Sequence, residues 1–187
     1  MRTSLNVSFL RRFVRPVGRA AFHLCRAGLR VIDAVSPRTF MRLYVPLLKA
    51  YGVRFTGTPR YISTKVKFDD FERIVIGDRV VVSENVIFLT HDYSLTTALH
   101  AIGRAPQTDV AFIKEIIVGD NVFIGMGTML LPGASIPRDV IVGAGSVVRG
   151  TLQADSVVVG NPAQRVGSVS AKAQDWSLRL QNVSLRV

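Results

Sequence analysis

Between Val118 and Val148 a branched aliphatic residue returns at every sixth position: Val118, Ile124, Leu130, Ile136, Val142 and Val148. Three places after the first five stand Asn121, Gly127, Gly133, Asp139 and Gly145, types that adopt a left-handed backbone at low cost. The next place holds small or β-branched residues for the most part, from Val122 and Thr128 to Ser146. A helix repeats at 3.6 residues and a strand at 2, so neither accounts for six. A parallel β-helix does, because each short strand buries one aliphatic and then turns a sharp corner. The fold class expected is therefore an all-β core.

The same phase appears upstream as Ile76, Val82 and Phe88, with Arg79, Asn85 and His91 at the corners. Ser63 to Phe71 reads as a still earlier turn, interrupted by Asp69 and Asp70. Between Asp92 and about Lys114 the period stops, and no regular structure is expected there. An excursion of that length in a compact domain is usually functional. After Val148 the spacing slips around Gly150 and returns with Leu152 and Val158, and Gly160-Asn161-Pro162 ends the coil. From Ala171 a short helix is expected, with Trp176 and Leu180 on one face, to cap the open end of the coil.

Charge divides the chain differently. Of its net charge of +11, all resides in residues 1–60, which hold twelve basic residues against Asp33 alone. This third reads as helical. Arg19, His23, Arg26, Arg30 and Asp33 draw a polar stripe along a helix from about Val17 to Val35, with Phe22, Leu24, Leu29, Val31, Ile32 and Val35 off it. Ser36-Pro37 signals the start of a second helix and Gly52 its stop, with Pro46 expected to kink or shorten it. Three readings stay open for residues 1–56: contact with an anionic membrane surface, packing against the repeat with the arginines solvated, or an organellar transit segment, being arginine-rich and poor in acids. No nucleic-acid-binding motif accompanies the charge, so nucleic acid is not an expected partner. The single cysteine, Cys25, excludes an internal disulfide framework and suggests a reducing compartment. No apolar run reaches the roughly 18–20 residues of a spanning helix. The expected location is the cytoplasm, with the inner membrane face as the place of any peripheral contact. Three segments follow: 1–56 basic and helical, 57–166 the repeat domain with loop 93–115, and 167–187 a tail or cap.

Three histidines are candidates for proton transfer. His23 falls in the basic stripe, and His100 lies in the loop with no partner in view. His91 stands at a corner where the repeat gives way to the loop, and its proton exchange falls naturally near neutral pH. Asp92, beside it, either orients the ring or tightens the turn.

The segments Ile116 to Gly125, Pro132-Gly133-Ala134, Val142 to Val148 and Gly160-Asn161-Pro162-Ala163 resemble the hexapeptide-repeat acyltransferases. They are most similar to the maltose/galactoside O-acetyltransferase branch, which includes acetyltransferases of surface polysaccharides. The resemblance covers roughly residues 60–166. It implies a left-handed parallel β-helix with 18 residues per coil, assembled as a homotrimer, with acetyl-CoA as donor in the groove between subunits and no metal required. Carried over by position, His91 matches the catalytic histidine, with Asp92 beside it in the candidate catalytic set. Asp69 and Asp70 match a carboxylate pair facing the acceptor pocket, where Lys65 replaces a frequent asparagine. Gly125, Met126, Ala144 and Gly145 match the turns along the pantetheine arm, and Arg149 and Arg165 the basic positions near the cofactor's phosphates. The turn before His91 is one residue shorter than in sugar acetyltransferases with a longer turn there.

The implied function is O-acetyl transfer to a sugar or glycan hydroxyl, with His91 as general base and no acyl-enzyme. Alternatives are a serine acetyltransferase-like enzyme, a zinc enzyme of the γ-carbonic anhydrase kind, and a catalytically silent scaffold. The zinc enzyme would need a third histidine within the repeat, which the sequence lacks.

Overall fold

The computed structural model describes residues 7–179, with side chains placed from Ala20 onward. It divides into two compact units, Met1–Leu47 and Leu48–Val187.

In the first unit, helix α1 runs from Val7 to Val35 and helix α2 from Pro37 into the second unit at Ala50. The break between them is chemical: Ser36 Oγ accepts the Thr39 N–H at 3.3 Å, and Pro37 occupies the first helical position. Helix α2 continues through Pro46 without ending there. It stops where Gly52 takes φ +114° and Val53 N–H reaches back to the Leu48 carbonyl. Phe22, Phe40 and Tyr44 are buried, and the last two stack at 5.0 Å. Burial pushes the Tyr44 phenol up to about 12, although the Arg26 guanidinium pulls the other way.

The second unit is a parallel β-helix. Its first coil comprises β1 (Arg54–Phe55), β2 (Tyr61–Ile62) and β3 (Lys67–Phe68), and the second β4 (Ile74–Ile76), β5 (Val81–Val82) and β6 (Ile87–Phe88). An excursion follows, with β7 (His91–Asp92), helix α3 (Ser94–Ala101) and β8 (Phe112–Ile113). Coil three is β9 (Ile116–Val118), β10 (Val122–Ile124) and β11 (Met129–Leu130); coil four is β12 (Ser135–Ile136), β13 (Val140–Val142) and β14 (Val147–Val148). Strands β15 (Ser156–Val159) and β16 (Gln164–Gly167) and helix α4 (Val169–Arg179) complete the chain.

Stacked strands make three faces. The first is β1-β4-β9-β12, the second β2-β5-β10-β13-β15-β16 and the third β3-β6-β11-β14. Coil three lies on coil four in a register of 18 residues, with Val118 against Ile136, Ile124 against Val142 and Leu130 against Val148. The six sixfold aliphatics are all buried, as are Ile76, Val82 and Phe88. Asn121, Gly127, Gly133, Asp139 and Gly145 all have positive φ, as do Arg79 and Asn85. One edge is stitched by side chains: Asp78 Oδ1 accepts the Thr58 N–H, Asp120 Oδ1 the Asp78 N–H, and Asn121 Nδ2 donates to Asp139.

The interior supplies the stability, because the inward apolar residues of coils two to four are all buried. Leu130→Ala should therefore cost about 2–5 kcal/mol, the transfer term plus a cavity that the stacked coils cannot close. Chemical denaturation of the variant against the native chain measures it.

Three features depart from expectation. The excursion is not free of regular structure: β7 pairs antiparallel with β8, and Thr96 Oγ1 both donates to and accepts from the Val110 backbone at 2.9 Å. Second, the strand edge at the end of the coil is covered by β16, which turns back antiparallel on β15 after Asn161-Pro162. Helix α4 has no buried residue; it is held at its start by Asp155, whose carboxylate accepts from Ser170 N–H and Oγ–H. Those bonds hold the Asp155 carboxyl below the usual carboxylate range. Trp176 is exposed, and Leu180 lies outside the described residues. Third, the α1 residues expected off the polar stripe do not share one environment, since Phe22 is buried while Leu24, Val31 and Val35 are exposed.

Candidate active site

The edge between the third and first faces brings His91, Asp69 and Asp70 together. Each passage from a third-face strand to the next first-face strand crosses it, so chain positions about a coil apart become neighbours. After β3 this corner is widened by a single 3₁₀ turn, Phe71–Arg73, immediately behind Asp69 and Asp70. After β6 it carries Thr90 and His91, and the chain leaves for the excursion. Phe88 pairs with Leu130, 42 residues on, where Leu130 pairs with Val148, 18 on; the excursion is inserted at this edge alone.

His91 Nδ1 lies 2.7 Å from Asp69 Oδ2 and 3.9 Å from Asp70 Oδ2. An ionised carboxylate can only accept, so Nδ1 carries the hydrogen and the neutral ring keeps its lone pair on Nε2. The ring is 31% exposed and Asp69 21%. Tyr93 meets the imidazole edge-on, with centroids 5.2 Å apart.

Thr90 fastens the two carboxylates. It is fully buried; its N–H donates to Asp69 Oδ2 at 3.2 Å, and its hydroxyl lies 3.3 Å from Asp69 Oδ2 and 3.1 Å from Asp70 Oδ2. The same oxygen accepts the Asp70 N–H at 3.2 Å. One hydroxyl hydrogen serves only one carboxylate at a time. The sequence offers no signal for this residue beyond its distance of about one coil from Asp69.

Asp92 is placed otherwise. Its Oδ1 accepts the Ser94 N–H at 2.8 Å, closing the turn that starts α3. This bond, above all, holds its carboxyl below the usual range, with Arg149 contributing from nearby. The carboxylate that meets the His91 ring is thus Asp69, and Asp92 tightens the turn. Arg149 follows β14 and shares the edge of His91. His100 lies exposed on α3.

The other candidates lie elsewhere. Gly125, Met126, Ala144 and Gly145 form successive turns of the edge between the second and third faces. There Gly127 N–H bonds the Glu84 carbonyl, and Gly145 N–H the Met126 carbonyl. Neither Met126 N–H nor Ala144 N–H is taken up by that ladder, and both residues are exposed. No atom lies within 4 Å of the place where a Cβ would stand on Gly127 or Gly145, so this edge is smooth and open. Lys65 lies on the same edge, paired with Glu84 at 2.7 Å rather than with the His91 group. Arg165 sits on β16, opposite Val158 and close enough to Asp155 to act on its carboxyl. Within one chain, then, the imidazole–carboxylate pair and the open glycine turns occupy different edges of the coil.

Comparison with known proteins agrees with this architecture. Residues 115–150 match the bacterial transferase hexapeptide family (six repeats). A provisionally named acetyltransferase of Schizosaccharomyces pombe is 32% identical over 127 residues, covering 66% of this chain and 58% of the relative. The galactoside O-acetyltransferase of Escherichia coli K12 is 25% identical over 132 residues, covering 70% and 62%. Among solved structures, a hexapeptide-repeat-containing acetyltransferase of Vibrio cholerae, complexed with acetyl coenzyme A, is similar with a TM-score of 0.57. It is 23% identical, with 80% of this chain and 88% of that chain covered, and the likeness is one of fold. The chain thus carries the bacterial transferase hexapeptide repeat and is similar to the hexapeptide-repeat acetyltransferases. Its parallel strands and these neighbours fit a left-handed β-helix. It spans about three fifths of the length of the two curated relatives described. No described helix is long and apolar enough to cross a membrane.

Proposed function

We propose that this chain is an acetyl-CoA-dependent O-acetyltransferase that acts on a sugar or glycan hydroxyl by direct transfer, as a left-handed, homotrimeric coil in the cytoplasm. The observation that carries the reading is the His91–Asp69 contact of 2.7 Å at the mouth of the excursion. A histidine so held presents Nε2, unprotonated, to a hydroxyl arriving from solvent. Asp69 would also steady the imidazolium that forms when the proton is taken.

The reaction follows from these placements. Nε2 removes the acceptor's hydroxyl proton as its oxygen attacks the thioester carbonyl. The carbonyl oxygen gains charge in the tetrahedral intermediate and is met by the free N–H groups of Met126 and Ala144. Collapse breaks the C–S bond, and the imidazolium returns its proton to the departing thiolate. The products are the acetyl ester and free coenzyme A. Cys25, the only thiol in the sequence, lies in α1 and not in the coil, which favours transfer without an acyl-enzyme.

Assembly completes the site. Because the His91 pair and the Met126–Ala144 turns lie on different edges, one chain cannot offer both to one thioester. A trimer that sets the first edge of one subunit against the second edge of its neighbour brings them together. Gly127 and Gly145 would then let the pantetheine arm lie against backbone, while Gly125 packs on Ala144 of the next coil and holds that turn in place, and Arg149 and Arg165 would meet the phosphates. Asp70 and the excursion would face the acceptor. Lys65 would contribute to that pocket only after release from Glu84.

An acceptor screen tests the proposal. With acetyl-CoA as donor, free thiol should appear with sugars or lipid-linked sugars and not in their absence. Release with serine alone would favour the serine acetyltransferase reading, and release with none of them would favour the scaffold.

A further inference from the structure

Helix α1 presents an unpartnered apolar face. Leu24, Val31 and Val35, at steps of seven and four, are 75%, 69% and 83% exposed. Ala20 and Ala27, on the same side at helical spacing, are also exposed. The opposite side is the enclosed one: Phe22 is 2% exposed, Arg26 lies 5.3 Å over its ring, and the Arg26 guanidinium acts on the buried Tyr44 phenol. The polar stripe thus includes the face that packs, and the large aliphatics are left outside. In the sequence the same steps of three and four continue upstream as Leu10, Phe13 and Val17, with Arg11, Arg12, Arg15 and Arg19 off those positions.

Three exposed aliphatics in line are an apolar surface that a monomeric soluble helix does not usually keep. We infer that this face of α1 docks in the interface of an anionic membrane, with the helix lying in the plane of the surface. The occupant is set by charge. Residues 1–60 carry twelve basic residues and one acidic. A surface so cationic repels a second copy of itself and is attracted by anionic headgroups. A 29-residue amphipathic helix, apolar on one side and arginine-rich on the other, has the build of an element that lies on a bilayer. Docking does not depend on the catalytic proposal, since none of these residues belongs to the coil.

Vesicle flotation of the full chain decides the matter. The native protein should float with vesicles of equal parts phosphatidylglycerol and phosphatidylcholine, much less with phosphatidylcholine alone, and less as salt is raised. The triple variant Leu24→Ser, Val31→Ser, Val35→Ser should lose about 10-fold or more of that binding. Because all three side chains are exposed, its circular dichroism and its acetyl transfer to a soluble acceptor should match the native chain's. Light scattering of both proteins reports the competing occupant. Flotation by the variant equal to the native chain's would overturn the inference, as would failure of the native chain to float. A smaller assembly for the variant would assign the face to contact between subunits and overturn it too.

Discussion

His91→Ala is expected to lower turnover by about 10²–10⁴-fold, the usual worth of a positioned general base. The Michaelis constant for acetyl-CoA should change little, because the ring takes the acceptor's proton while the neighbouring subunit's glycine turns hold the donor. The fold should survive. His91 is outside the aliphatic interior, and Asp69 keeps its bond from Thr90 N–H once the imidazole is gone. Initial rates of thiol release, with thermal melting as a control, check both halves of the expectation. Activity within about threefold of the native chain's would remove His91 from the mechanism.

The second large effect is expected at Asp69. Asp69→Asn keeps the size of the side chain and leaves an oxygen that can accept from Nδ1. It removes the charge that steadies the imidazolium, and an amide turned the other way would favour the wrong tautomer. In a comparable histidine–carboxylate pair that change costs about 10⁴-fold. Here, where Asp69 is partly exposed and Asp70 stands 3.9 Å from the same nitrogen, about 10²-fold is expected, in kcat rather than KM. Asp92→Asn is the control. Its carboxylate is engaged with Ser94, so its effect on kcat should stay within about threefold. A larger loss at Asp92 than at Asp69 would exchange the two roles.

The period of six made the coil legible because it is a local pattern that repeats. Each aliphatic from Val118 to Val148 had to be enclosed, and each Asn, Gly or Asp three places on had to turn left-handed. Both requirements show in single residues. The carboxylate partner of His91 was harder to see. Asp92 is its neighbour in sequence, whereas Asp69 becomes its neighbour only when β3 and β6 stack, and that register depends on the widened corner at Phe71–Arg73. Thr90 was hidden for the same reason, since a buried hydroxyl between two carboxylates has no signature in a linear chain. In the excursion, α3 spans only eight residues and its strands pair across a gap set by Thr96 and Val110, too little periodicity to register. On α1 the steps of four and three set the polar residues along one stripe. Which side of a helix packs, however, is decided by its partner, and α2 takes the side of Phe22 and Arg26.

Charge and repeat also divide the chain. Residues 61–187 balance their acids and bases, while the first sixty residues hold the whole net charge. A catalyst needs a smooth, neutral edge where a long thioester can lie close to backbone. An element that chooses a location needs charge and an apolar face, and α1 has both.

The central claim is direct acetyl transfer from coenzyme A to a sugar hydroxyl. Turnover with isotope-labelled acetyl-CoA, followed by mass spectrometry of both the acceptor and the intact chain, tests it most directly. The account predicts label in an ester on the acceptor, one acetyl group for each thiol released, and none on the protein at any time during turnover. Label on Cys25 or another side chain that passes on to the acceptor, or thiol release with no labelled acceptor, would contradict it.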